Sequence, residues 1–223
     1  MLRLHRIAAA CLVAAVAAVI AACAVTPEQA ATAEPSPQYS PEPMIARLAE
    51  GGYVVYIRHG RTDATYQDKQ DKPEWWKSCD PRRHRPLSDD GRNQMLSLGA
   101  NMRALRIPVG KVITSEYCRA VDSGLLLQLM PIASDPAMNY ADAHRYLKHP
   151  DTQISADLRK LLSARPPAGT NTILVGHVHG VNPPLDQAFS AIQEAESVIV
   201  RPLGDDKFEV VGRVTVDKWA LRK

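Results

Sequence analysis

Apolar residues in this chain fall into two kinds of run, short continuous ones and longer ones spaced by three and four, and the two kinds alternate along the sequence. The short runs Tyr53-Val-Val-Tyr-Ile57, Lys111-Val-Ile-Thr114 and Thr172-Ile-Leu-Val-Gly176 are rich in β-branched residues and bounded by glycine or polar residues, so they predict buried strands. A further short strand is expected near 132–134. Met95, Leu98, Met102 and Leu105 recur at helical spacing behind Ser88, which predicts a capped helix running to about Arg106. Other helices are expected over 44–50 (stopped by Gly51-Gly52), over 117–130, from Asp151 or Thr152 to about Ala164 (stopped by Pro166-Pro167), and near 184–190. A last pair of strands, 196–201 and 207–214, flanks the turn Leu203-Gly-Asp-Asp206. Strands alternating with helices predict an α/β fold, a three-layer α/β/α sandwich around a mostly parallel sheet.

The front of the chain has a different pattern. Met1-Leu-Arg3-Leu-His-Arg6 is a basic head, and Ile7 to Ala22 is an Ala/Val-rich run shorter than the ~20 apolar residues a membrane-spanning helix needs. The run ends Ile20-Ala21-Ala22-Cys23, which resembles a bacterial lipoprotein signal with Cys23 as the acylated residue; secretory cleavage near the same alanines is the alternative. Residues 1–22 are thus expected to be a signal peptide. Residues 23–43, with five prolines between 24 and 43, are expected to be a lipidated cysteine and a semi-extended tether. The folded domain would then be 44–223, exported and held on the periplasmic or cell-surface side by acyl chains on Cys23. Its ~180 residues are enough for one sizeable core.

Composition narrows the partners. The chain has 27 basic and 24 acidic residues, and without Arg3 and Arg6 the balance is 25 against 24. A nearly neutral domain does not point to a nucleic acid; any positive charge that matters is local. Of four cysteines, Cys11 would leave with the signal and Cys23 would carry lipid, leaving Cys79 and Cys118. In an exported protein such a pair predicts a disulfide, which would pin the long loop 63–86 beside Arg119. The alternative, a thiolate nucleophile at Cys118, has no separate Cys/His pattern to support it.

The candidate chemistry lies at strand ends. The first strand runs into Arg58-His59-Gly60, the second is followed by Arg119, and the third ends Gly176-His177. In open α/β sheets ligands bind just beyond the carboxyl ends of strands. Taken singly, each of these is a strand stopping in a polar turn. Together they make a cationic cup for one phosphoryl group, with a neutral imidazole available as nucleophile.

The ordered blocks Arg58-His59-Gly60, Leu87-Ser88-Asp89-Asp90-Gly91-Arg92-Asn93-Gln94, Thr114-Ser115-Glu116-Tyr117-Cys118-Arg119-Ala120 and Gly176-His177 resemble the histidine phosphatase superfamily, the phosphoglycerate-mutase-like proteins, in its first and smaller branch. The resemblance covers about residues 44–223. It implies that His59 attacks phosphorus to form a phosphohistidine while Arg58, Arg119 and His177 hold the phosphoryl oxygens, with no metal or other cofactor. Arg61, Thr62 and Thr65 are expected as further pocket residues. Two features depart from the family pattern: Tyr140 stands where relatives carry the glutamate that protonates the leaving group, and Thr65 where they carry an asparagine. Asp142 is the first candidate for that general acid, with Asp135, Glu194 and Glu196 behind it.

The expected function is a metal-independent phosphohydrolase acting on a small phosphomonoester or phosphoanhydride, including an envelope component. The alternatives are a catalytically weak phosphate-binding lipoprotein and a metal-dependent phosphatase built on His177 and His179. The basic run Arg82-Arg83-His84-Arg85 can reach a second phosphate or lie as a solvated loop. Trp75-Trp76 can stack on a substrate or pack the loop down.

Overall fold

The structure, a computed structural model, describes residues 41–181 and 183–219. The expected signal peptide, Cys23 and nearly all of the tether lie outside the described residues. Six strands form one sheet: β1 (Val54–Arg58), β2 (Val109–Thr114), β3 (Ile132–Ser134), β4 (Asn171–Gly176), β5 (Ser197–Gly204) and β6 (Lys207–Val214), in the spatial order β3-β2-β4-β1-β5-β6. The pairs β3/β2, β2/β4 and β4/β1 are parallel, while β5 is antiparallel to both β1 and β6. The sheet is therefore mixed but largely parallel, and β5 alone among the described strands runs against the rest.

Alternation along the strands feeds two cores. In β1, Val55 and Ile57 point into one and Val54 and Tyr56 into the other; Ile173 and Val175 against Leu174 repeat the pattern in β4. The first core is covered by α1 (Pro41–Leu48), α2 (Asp89–Ala104) and α3 (Cys118–Leu127), through Leu48, Met95, Leu98, Met102 and Leu127. The second is covered by α5 (Asp151–Ser163) and α6 (Gln187–Ser190), through Ile154, Leu158, Leu162 and Phe189. This is the three-layer α/β/α sandwich.

Local chemistry sets the element ends. The Ser88 hydroxyl accepts the Gly91 N–H at 3.1 Å and caps α2. Gly51 and Gly52, at φ +78° and +91°, turn the chain out of α1 into β1. Helix α1 starts at Pro41, ahead of the expected boundary at 44, and α6 starts only at Gln187, where the Asp186 carboxylate accepts the Ala188 N–H. A six-residue helix, α4 (Ala141–Tyr146), and short 3-10 turns over 75–77, 136–138 and 216–219 were not expected from the pattern.

Candidate active site

Backbone pairing fixes His59. Its N–H donates to the Gly176 carbonyl of β4 at 3.0 Å, and its own carbonyl accepts the Ala195 N–H at 3.0 Å. The residue after it has to be small, because a Cβ on Gly60 would lie 2.6 Å from the Gly91 carbonyl in the first turn of α2. Gly91 is pressed harder still, with its own Cβ position 2.0 Å from the Arg61 carbonyl. The Gly60–Gly91 contact thus brings α2 against the loop that carries the histidine.

The imidazole of His59 is 2% exposed, and its Nδ1 lies 2.9 Å from the Gly60 carbonyl. A carbonyl only accepts, so Nδ1 carries the hydrogen and Nε2 keeps its lone pair. Arg119 directs its Nε–H at that lone pair from 3.3 Å. Burial, then the Arg119 charge, holds the ring's pKa well below the usual histidine value despite the opposing pull of the Gly60 carbonyl, so the ring is neutral at pH 7.

His177 ends β4 beside it, with ring centroids 5.2 Å apart. Its Nε2 is 2.7 Å from the Ser115 hydroxyl, its backbone N–H reaches the Tyr56 hydroxyl at 2.8 Å, and Tyr117 packs on its ring edge at 4.7 Å. Burial, then Arg119, also holds its pKa well below the usual value. Arg119 comes from the first turn of α3 and is 4% exposed. Arg58 ends β1, with Nη1 on the Ile192 carbonyl at 2.9 Å and Nη2 3.8 Å from Glu194. These four side chains line one cavity of about 290 Å³ and form its floor, with His59, Arg119 and His177 buried and Arg58 half-buried.

The wall of the cavity comes from elsewhere. Gln67, Asp68, Gln70 and Arg85 reach it from the loop 63–86, and Tyr140 and Asp142 from the start of α4. Asp68 sets both carboxylate oxygens on Arg119 Nη1, at 2.9 and 3.2 Å, and accepts the Arg85 N–H at 2.9 Å. The loop is held down by a third apolar cluster of Trp75, Trp76, Tyr117 and Ala143, and by a disulfide between Cys79 and Cys118. The Glu116 carboxylate accepts from the Trp76 indole at 3.0 Å and the Asn139 amide at 2.8 Å, and pairs with Lys77 at 3.2 Å.

The remaining sequence candidates are placed as follows. Asp142 is at the mouth of the cavity, 3.4 Å from Gln70 Nε2 and 3.6 Å from Arg145. Arg61, Thr62 and Thr65 do not line the cavity, which corrects the expectation for them. Arg61 pairs with Asp90 at 3.2 Å over a separate open cleft, Thr62 donates to Glu194 at 2.8 Å, and Thr65 donates to Asp63 at 2.7 Å. Asp135 caps the 136–138 turn, and Glu196 is buried against Arg213 at 2.7 Å. In the basic run, Arg82 pairs with Asp80 and Arg83 with Asp71, and of the four residues Arg85 alone lines the cavity. Trp75 and Trp76 are buried rather than open to a substrate. His179 lies under Tyr56, outside the cavity lining, with neither ring nitrogen bonded; burial, then His144, lowers its pKa to about 3. Among the described residues, no three His, Cys, Asp or Glu side chains come together as a metal-holding group. The sequence reading missed Asp68 altogether.

No protein-family model matches the chain, and no curated protein matches it. Solved structures do. The protein histidine phosphatase SixA, in complex with tungstate, superposes with a TM-score of 0.51 at 12% identity, over 75% of this chain and 99% of that one. The fold is that of the histidine phosphatases. A mycobacterial glucosyl-3-phosphoglycerate phosphatase in complex with VO3 has a TM-score of 0.46 at 16% identity, over 72% of this chain and 97% of that one.

Proposed function

We propose that the protein is a metal-independent phosphohydrolase that cleaves a small phosphomonoester or phosphoanhydride through a phosphohistidine on His59. The observation that carries this reading is the state of His59: a buried, neutral imidazole whose Nε2 lone pair faces an arginine in a cavity lined by two more. Phosphoryl transfer demands in-line positioning and positive charge around the equatorial oxygens more than covalent machinery. Arg58, Arg119 and His177 supply that surround, and the rigid backbone of His59 supplies the line of attack. His59 Nε2 forms the bond to phosphorus as the leaving oxygen departs; water then attacks phosphorus and the imidazole leaves. The tungstate bound by the similar SixA structure, a tetrahedral oxyanion, supports a phosphoryl seat in this fold.

Hydrolysis of p-nitrophenyl phosphate with a chelator present, beside the variant His59→Ala, tests the reading. Turnover that survives the chelator and disappears in the variant supports it. Turnover lost to the chelator would favour a metal-dependent enzyme. No turnover in a folded protein that still binds vanadate would favour a phosphate-binding protein.

The same proposal puts the enzyme outside the cytoplasm as a lipoprotein acylated at Cys23 and acting on envelope phosphates. Its supports are the Ile20-Ala21-Ala22-Cys23 pattern and the Cys79–Cys118 disulfide, a bond that oxidising compartments favour. Labelled palmitate incorporated by the wild type and not by Cys23→Ser is the expected result; equal labelling would overturn it.

A further inference from the structure

A carboxylate of the cavity wall is bonded to Arg119, one of the cations expected to hold a phosphoryl group. Asp68 lies on Arg119 Nη1 through both oxygens, at 2.9 and 3.2 Å, and Arg119 Nε in turn points at His59 Nε2 from 3.3 Å. Two hydrogen-bonded steps therefore link Asp68 to the candidate nucleophile. The cavity's other carboxylate, Asp142, is more exposed, 37% against 19%, and is engaged with Gln70 and Arg145 at the mouth. With Tyr140 at the position expected for it, the leaving-group acid has to come from another side chain.

We infer that Asp68 is the general acid of the phosphoryl transfer, parked on Arg119 until substrate displaces it; this rests on the phosphohydrolase reading above. Asp68 holds one guanidinium nitrogen, Nη1, and a phosphoryl group with its larger charge competes with it for that nitrogen. The floor is filled by His59, His177 and Arg58, so the displaced carboxylate turns toward the mouth. That is the side from which the leaving group departs when Nε2 attacks in line. The loop itself stays in place: the Lys69 N–H holds the Arg83 carbonyl at 2.9 Å and the disulfide anchors the far end, so a change of side-chain rotamer is enough. The proton that Asp68 delivers comes from the substrate monoanion or from water.

The step balances. As the His59 Nε2 lone pair forms the N–P bond, the P–O bond breaks and its electron pair takes the Asp68 proton, releasing an alcohol. In the second half, Asp68 carboxylate takes a proton from the attacking water, the new O–P bond forms, and the N–P pair returns to Nε2. Inorganic phosphate leaves and Asp68 is protonated again.

The test uses wild type, Asp68→Asn and Asp68→Glu, with inorganic phosphate binding by calorimetry and hydrolysis of two esters, p-nitrophenyl phosphate and glycerol 2-phosphate. Asparagine keeps an oxygen for the Arg85 N–H; should that variant fail to fold, Asp68→Ser takes the same measurements. Without the competing anion, phosphate should bind about 10-fold or more tightly. The kcat for the alkyl ester should fall ~10²–10⁴-fold, and for the aryl ester, whose phenolate leaves unaided, by less than about 10-fold. Asp68→Glu, still an acid, should recover part of the alkyl rate. Equal losses on both esters, unchanged phosphate affinity in a folded variant, or a leaving-group-selective loss that appears in Asp142→Asn instead would overturn the assignment. A wild type that neither binds phosphate nor hydrolyses either ester would overturn the phosphohydrolase reading, and the assignment with it.

Discussion

On the floor of the cavity His59 is fixed by backbone hydrogen bonds on both sides of its Cα, to β4 and to the turn ahead of β5, whereas on the wall Asp68 is held through its carboxylate, by the Arg119 side chain and the Arg85 N–H, on a loop that needs its own supports. The floor inherits its precision from the sheet: Arg58, His59 and His177 sit where parallel strands end. The wall is assembled from residues 63–86 and 140–142, secured by Trp75, Trp76, the Cys79–Cys118 disulfide and the Glu116 carboxylate. The difference teaches that the attacking group is pre-organised by the fold, while groups that meet the leaving side can be exchanged without touching the sheet. Function in such folds varies through loops on a fixed scaffold.

Breaking the junction between the two regions should have the largest effect. Arg119 is the floor residue that also binds the wall, so Arg119→Ala should lower kcat/KM for p-nitrophenyl phosphate by ~10²–10³-fold, read by steady-state kinetics; a smaller loss than tenfold would mean the other three floor residues suffice. Removing a wall support should cost stability first. Trp75 is 2% exposed, and Trp75→Ala should destabilise by ~3–5 kcal/mol in urea unfolding. Cys79→Ser opens a bond between residues 39 apart and should cost ~2–4 kcal/mol, with protection from amide exchange lost over 63–86 and kept in β1 and β4. Equal loss of protection in the sheet would erase the distinction between the regions.

Effects that appear only as pH changes sharpen the comparison from outside the cavity lining. His179 has a pKa of about 3 folded and ~6.5 unfolded. The unfolded chain therefore binds the extra proton below pH 6.5, and the stability tied to the neutral ring is complete above that pH. It is lost as pH falls from 6.5 toward 3, at up to ~1.4 kcal/mol per pH unit. Replacing the ring by His179→Phe should remove that slope and add ~1 kcal/mol at pH 7, because two buried nitrogens without partners disappear. Thermal melts of both proteins from pH 7.5 to 4.5 check this. His59, with its pKa also held low, should leave kcat/KM undiminished by histidine protonation as pH falls from 7 through 6.5.

Much of the floor could be read from the chain because its signals are local. A β-branched run followed by Arg-His-Gly gives both the strand and the position of the side chains, and the alternation in β1 and β4 divides the two cores as the pattern implies. The wall carried no such signal. Asp68 lies in a stretch without periodicity, and its partners Arg85 and Arg119 are 17 and 51 residues away, so only closure of the loop brings them together. Helix α4 is six residues long with no side-chain cap, too short to show a period, and it places Asp142 at the mouth. Arg61, Thr62 and Thr65 were expected in the pocket, Thr65 at the position where the resembling family carries an asparagine. In the fold their side chains are taken up by Asp90, Glu194 and Asp63 instead.

The most direct test of the central claim is rapid quenching of the wild type with a ³²P-labelled monoester, followed by peptide mapping of the trapped label. The account predicts an acid-labile, alkali-stable phosphoryl group on the peptide bearing His59, formed and lost at rates that match turnover. Hydrolysis that proceeds with no protein-bound label, or with label on another residue, would contradict it.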